Sequence, residues 1–147
     1  MSKKYSNRLR ELKEMRKAFN FFEEKIKFTY EPIPDVFEEI SHKVQDNIGE
    51  IFCNSSKSME NESAGVAWEK AVDESNNNFT KEDKDIIKGL AKMLGKTDID
   101  GQVSEIRLTC KFLDVQIKDA EIEKNKNEKL YKTLGATVGL ALVIILI

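Results

Sequence analysis

Few of the 147 residues carry side chains suited to catalysis or metal binding. The chain holds one histidine, His42, and two cysteines, Cys53 and Cys110. A thiol–imidazole pair of His42 and Cys53 needs a third group to orient the imidazole and donors for an oxyanion, and no motif supplies either. His42 therefore reads as a surface residue and Cys53 as a core residue. The two cysteines stand alone, with no Cys-x-x-Cys spacing, which excludes a structural zinc site and makes a disulfide framework a poor fit. Asp98, Asp100 and Gly101 imitate part of a calcium loop. In that register, however, the first and twelfth ligand positions fall on Lys96 and Arg107, cations where carboxylates are required, so a helix N-terminal turn is the better reading. No phosphate-binding glycine loop, nucleophile elbow or dinucleotide fingerprint occurs. The sequence assigns no catalytic residue, no metal ligand and no cofactor.

What remains is charge and apolar pattern. Lys and Arg number 24 against 26 Asp and Glu, a net charge of −2, so no global basic field exists to gather nucleic acid. The charge is unevenly placed: residues 1–30 hold nine basic and four acidic side chains, residues 31–80 three and eleven. Glu31, Asp35, Glu38 and Glu39 concentrate the acidic part and are the candidate partner-binding residues, docking a basic face; a solvated acidic face with no partner fits them equally. The basic N-terminal segment is expected to lie near anionic lipid, leaving the acidic part to face away. Lys3, Lys4, Arg8 and Arg10 stand where a signal peptide needs its apolar stretch.

The elements that must position these residues are helices. Tyr5, Leu9, Leu12, Phe19, Phe22 and Ile26 recur at helical intervals and predict one long amphipathic helix, ended by Pro32 and Pro34. Val36, Phe37, Ile40 and Val44 mark a second helix; Ile51, Phe52 and Met59, after Gly49, a third; Ala67, Trp68, Ala71 and Val72 a fourth, with Trp68 as a core anchor. Ser75 to Asn78 form a loop. Thr80 and Asp83 form a capping box that opens a fifth helix running through Ile86, Ile87, Leu90 and Leu94 to a stop at Gly95. Val103, Ile106, Cys110, Leu113, Ile117 and Ala120 make a seam along a last helix. Leu108, Phe112, Val115 and Ile122 widen it into a second stripe, expected to pack on the other helices. The fold class is all-α, a compact bundle of about six helices.

After Lys132 every residue to Ile147 is uncharged, and nine of the last fourteen are Leu, Ile or Val. As a helix these fifteen residues span roughly 22 Å against a hydrocarbon core of about 30 Å. The nine apolar side chains favour insertion by roughly 3–5 kcal/mol. The expectation is a C-terminal transmembrane helix continuing the last helix, with Leu134, Gly135, Gly139, Leu142 and Ile145 as anchor residues. Residues 1–129 form the helical domain and residues 130–147 the anchor. Lys124, Lys126, Lys129 and Lys132 flank the apolar segment and place the domain in the cytoplasm by the positive-inside rule. Gly135 and Gly139 have the spacing for close approach of two helices, hence self-association, although lipid-facing chance explains the pair as well.

The order of features resembles the stage III sporulation protein AB family of endospore-forming bacteria. The resemblance is carried by the basic helix from Lys3 with Arg8, Leu9, Arg10, Glu11 and Leu12; Pro32 and Pro34 leading into Phe37 and Ile40; Ala67, Trp68 and Ala71; Leu94-Gly95-Lys96-Thr97-Asp98 followed by Gln102 and Ile106; and the apolar tail after Leu134-Gly135. It covers essentially the whole chain. It implies a domain similar to the helical domain of type II secretion system protein F. It also implies a non-catalytic membrane platform in the secretion-like channel linking mother cell and forespore, beside a secretion-type ATPase, stage III sporulation protein AA. The family pattern has a transmembrane helix before the basic helix, whereas here Met1-Ser2 leads directly into Lys3, so one pass or two through the outer forespore membrane are both expected readings. The competing reading is a tail-anchored helical adaptor with no ATPase partner.

Overall fold

The computed structural model describes the backbone of residues 3–146, and side chains through Lys132 except those of Asp46 and Tyr131. Among the described residues seven helical segments follow one another: α1 Lys3–Phe28, α2 Ile33–Ser41, α3 Asp46–Ser58, α4 Ala64–Asp73, α5 Lys81–Lys88, α6 Ala91–Leu94 and α7 Ile99–Leu146. α6 is a single turn, so the expected six-helix, all-α organisation stands. α7 has 48 residues and runs unbroken across the expected boundary at residue 130. Among the described residues no helix is long and apolar enough to cross a membrane. The side chains of the anchor residues Leu134, Gly135, Gly139, Leu142 and Ile145 lie outside the described residues.

α1 packs along α7, α2 on α3, and α3 on α4, while α5 and α6 close the gap between α4 and α7. The ion pairs between the two long helices fix their direction. Arg8 meets Glu123, Lys13 meets Glu121, Arg16 meets Asp114 and Glu23 meets Arg107. Residue numbers rise on one helix as they fall on the other, so α1 and α7 are antiparallel. The first turn of α1 therefore stands beside the stretch of α7 just beyond Glu123. Arg8, Lys13 and Arg16 of the basic N-terminal segment thus turn to acidic partners on α7.

The core centres on Trp68, fully buried, with Phe52, Phe37 and Phe19 at ring-centroid distances of 5.0, 5.5 and 6.1 Å. Its indole N–H donates to the Ile87 carbonyl at 2.8 Å. That contact follows from a break the periodicity does not reveal. The fifth helix ends at Lys88, and the chain turns through Gly89 and Leu90 before α6, which Gly95 caps. A carbonyl in the last turn of a helix lacks its full set of intrahelical partners, and Trp68 supplies one. At Gly89 a Cβ would stand 2.9 Å from the Ile86 carbonyl oxygen, so a side chain there would need the turn to shift.

α3 begins at Asp46, earlier than expected, and places Gly49 inside the helix. The reason is close packing: a Cβ at Gly49 would lie 2.4 Å from the Ser41 carbonyl oxygen at the end of α2. Proline in the first turn of α2 and the Thr80–Asp83 capping box of α5 are both present as expected.

Candidate interaction surfaces

Two buried polar clusters hold α1 in place. The Arg8 guanidinium, 5% exposed, donates from Nε to Asp83 Oδ2 at 2.7 Å and from Nη2 to Asp83 Oδ1 at 2.9 Å. Gln116 Nε2 donates to the same Oδ1 at 2.7 Å, and the Thr80 backbone N–H to Oδ2 at 2.9 Å. One carboxylate thus joins α1, the cap of α5 and α7. Burial raises the Asp83 pKa, but the hydrogen bonds from Arg8, Gln116 and Thr80 outweigh it and hold the group below its ordinary value. The hydrogen bond to Asp83 in turn raises the Arg8 pKa. Glu11, fully buried one turn further along α1, accepts from Asn47 Nδ2 at 2.5 Å, from Asn78 Nδ2 at 2.8 Å and from the Asn78 backbone N–H at 3.1 Å. It ties α3 and the 75–79 loop to α1. Sequence reading missed both clusters. Their signal was a pair of charges, Arg8 and Glu11, set within the three–four register of an apolar face, where a charge must be paired to be buried.

The acidic quartet divides. Lys25 reaches Glu39 at 2.7 Å and Glu31 at 3.3 Å, so one cation of α1 pairs with both. The hydrogen bond to Glu39 raises the Lys25 pKa, and that from Lys25 lowers the Glu39 pKa. Asp35 and Glu38 instead line a cavity of about 300 Å³ between α2 and α3, with Pro34, Cys53, Lys57 and Glu60. Of the four residues, these two remain presented at a concave surface.

The largest departure from expectation is on α7. Val103, Ile106, Cys110, Leu113 and Ala120 are buried in the core as the seam requires, and Ile117 is partly buried. The second stripe is left half-exposed: Leu108, Phe112, Val115 and Ile122 are 46, 50, 56 and 45% exposed. At 100° per residue they fall on the face of α7 turned away from the seam. The helix is apolar on two opposite sides, and only one of them is buried in the core.

The residues weighed for chemistry are dispersed. His42 is exposed at the end of α2, while Cys53 is half-buried at the cavity beside Asp35 rather than in the core. Burial pushes the Cys110 thiol up to about 11. Asp98 serves the helix start, its Oδ2 accepting from the Gly101 N–H at 2.7 Å.

Known proteins share this arrangement. The sequence pattern of the family described as Stage III sporulation protein AB matches residues 1–147. The Stage III sporulation protein AB of Bacillus subtilis (strain 168) is 27% identical over 150 residues, covering 99% of this chain and 88% of that protein. A solved structure of Stage III sporulation protein AB superposes with a TM-score of 0.74 at 22% identity, covering 82% of this chain and 98% of that one, which shows a common fold. With the match extending over its whole length, the chain belongs to the stage III sporulation protein AB family and has its role in stage III of sporulation.

Proposed function

We propose that the protein is a non-catalytic platform of the secretion-like channel complex between mother cell and forespore, anchored by residues 130–147 with its helical domain in the cytoplasm and working beside a secretion-type ATPase. The observation that carries this reading is the unbroken run of α7 from the packed domain into the charge-free segment. The antiparallel pairing supports it. α1 starts where α7 leaves the core, so Lys3 and Lys4 gather at the same end as Lys124, Lys126, Lys129 and Lys132. A basic collar of this kind suits the cytoplasmic side of an anionic bilayer.

The ATPase would dock on the acidic cavity through Asp35 and Glu38, since Glu31 and Glu39 are held by Lys25. The test has two parts. The intact chain floats with membranes on a density gradient after carbonate extraction, and recovery in the soluble fraction rejects the anchor. Stage III sporulation protein AA is captured by the anchored chain at low salt and less well by an Asp35→Lys/Glu38→Lys variant, the difference shrinking as salt screens it beyond about 8–10 Å. Equal capture by both removes Asp35 and Glu38 from the interface, and capture by neither favours the tail-anchored adaptor with no ATPase partner.

A further inference from the structure

The exposed stripe of α7 continues into a groove. Between α5 and α7 a cavity of about 270 Å³ has an apolar floor of Ile86, Leu108 and Phe112, and its rim carries Glu82, Asp85 and Glu105 against one cation, Lys92. Val115 and Ile122 extend the floor along α7 at three- and four-residue spacing, with Asp119 between them on the same face. A floor of this shape fits the apolar edge of another helix laid along α7. The charges decide which one. Within the groove a second copy would set Glu82, Asp85 and Glu105 against their own counterparts, and an anionic bilayer is repelled by the same three groups, while Lys111 flanks the stripe on the side away from α5. We propose that the α5–α7 groove is the docking site for a basic amphipathic helix of another protein, its Leu- or Phe-type side chains on Ile86, Leu108, Phe112 and Val115 and its Lys or Arg side chains on Glu82, Asp85, Glu105 and Asp119. This surface lies apart from the Asp35–Glu38 cavity and does not depend on the ATPase reading.

The test uses the full-length chain in neutral-lipid nanodiscs and a two-heptad helical peptide with Leu at the three–four positions and Lys on the flanks, beside the same peptide with Glu for every Lys. The Lys peptide binds at least about tenfold more tightly than the Glu peptide. Leu108→Ser/Phe112→Ser weakens it by about tenfold or more, as loss of buried anchors does. Glu82→Gln/Glu105→Gln, which leaves the apolar floor intact, weakens it by about threefold or more and flattens the salt dependence. A polarity-sensitive dye on Val115→Cys, in a Cys53→Ser background, shifts to the blue only when the Lys peptide is added. Equal binding of the two peptides overturns the proposal, as does undiminished binding by the Leu108/Phe112 variant. A blue shift on concentrating the chain alone assigns the groove to a second copy, and one on adding anionic lipid alone assigns it to the bilayer; either result rejects the peptide-helix occupant.

Discussion

Arg8 and Asp83, 75 residues apart, face each other side-on through two hydrogen bonds of 2.7 and 2.9 Å in a site closed to solvent. The pair sits where three helices meet, and each partner offsets much of the cost of burying the other. Removing one partner leaves the other as an uncompensated buried ion, a change that costs about 3–5 kcal/mol. Arg8→Met is expected to lower the unfolding free energy by that amount in urea titrations. Arg8→Met/Asp83→Asn should recover part of it, since a neutral amide still accepts from Gln116. A loss for Arg8→Met below about 1 kcal/mol, the range of surface pairs, would mean that the site admits water.

The same carboxylate sets an acid limb to the stability. Its folded pKa lies below the unfolded value, so the unfolded chain takes up the proton first. The stabilisation is complete above the unfolded value of about 3.9 and is lost as pH falls through the folded one. Melting temperatures of the parent should drop below about pH 4 more steeply than those of Asp83→Asn, with the variant lower throughout the neutral range. Parallel acid limbs in the two proteins would assign the pH dependence to other carboxylates.

The elements were legible where local chemistry dominates. Proline at the start of α2, the Thr80–Asp83 box and the Val103–Ala120 seam each follow from spacing alone, because each is a contact within one turn or along one face. The break at Gly89 was not, since its stabilising partner, the Trp68 indole, comes from a different helix. Gly49 was taken for a helix boundary because its requirement, room for the Ser41 carbonyl, is a tertiary one. On α7 the apolar pattern was read correctly as two stripes, but periodicity cannot say which stripe meets a neighbour. The acidic quartet was visible as charge; that Lys25 takes two of its four members is a property of how α1 crosses α2.

Trp68 tests the core. Truncation to Ala removes a fully buried ring in contact with three phenylalanines and is expected to cost about 3–5 kcal/mol. Trp68→Phe keeps most of the volume and loses the bond to the Ile87 carbonyl, for about 1–3 kcal/mol. His42→Ala, at an exposed position, should stay within about 0.5 kcal/mol of the parent. Chemical denaturation with fluorescence, and circular dichroism for the tryptophan variants, checks all three.

The two thiols should separate by reagent. Cys110, buried in the seam with its pKa pushed up to about 11, presents roughly one thiolate in a thousand at pH 8 and that one is shielded. Cys53 is half-buried at an open cavity. A chromogenic disulfide is expected to titrate one thiol quickly in the native chain and both in denaturant, and Cys53→Ser should leave the native protein unreactive. Rapid modification of the Cys53→Ser protein would show that the α1–α7 seam opens on the timescale of labelling.

Truncation within α7 distinguishes packing from mere helical continuity. Among the described residues the core side chains of this helix run to Ala120, and Glu123 pairs with Arg8 of α1. Ending the chain after residue 129 removes no described contact to the core, so the remainder should fold, with melting temperature and helical signal per residue close to those of the intact protein. Ending it after residue 115 deletes Gln116, Ala120 and Glu123, uncovers the Arg8–Asp83 site and strips the N-terminal half of α1 of its facing surface. That fragment is expected to lose cooperative unfolding, because an ion pair exposed to water keeps only about 0–1 kcal/mol of its stabilisation. Comparable cooperative melts for the two truncations would show that the domain's stability resides in α2–α6 and that the long antiparallel pair only rests against it.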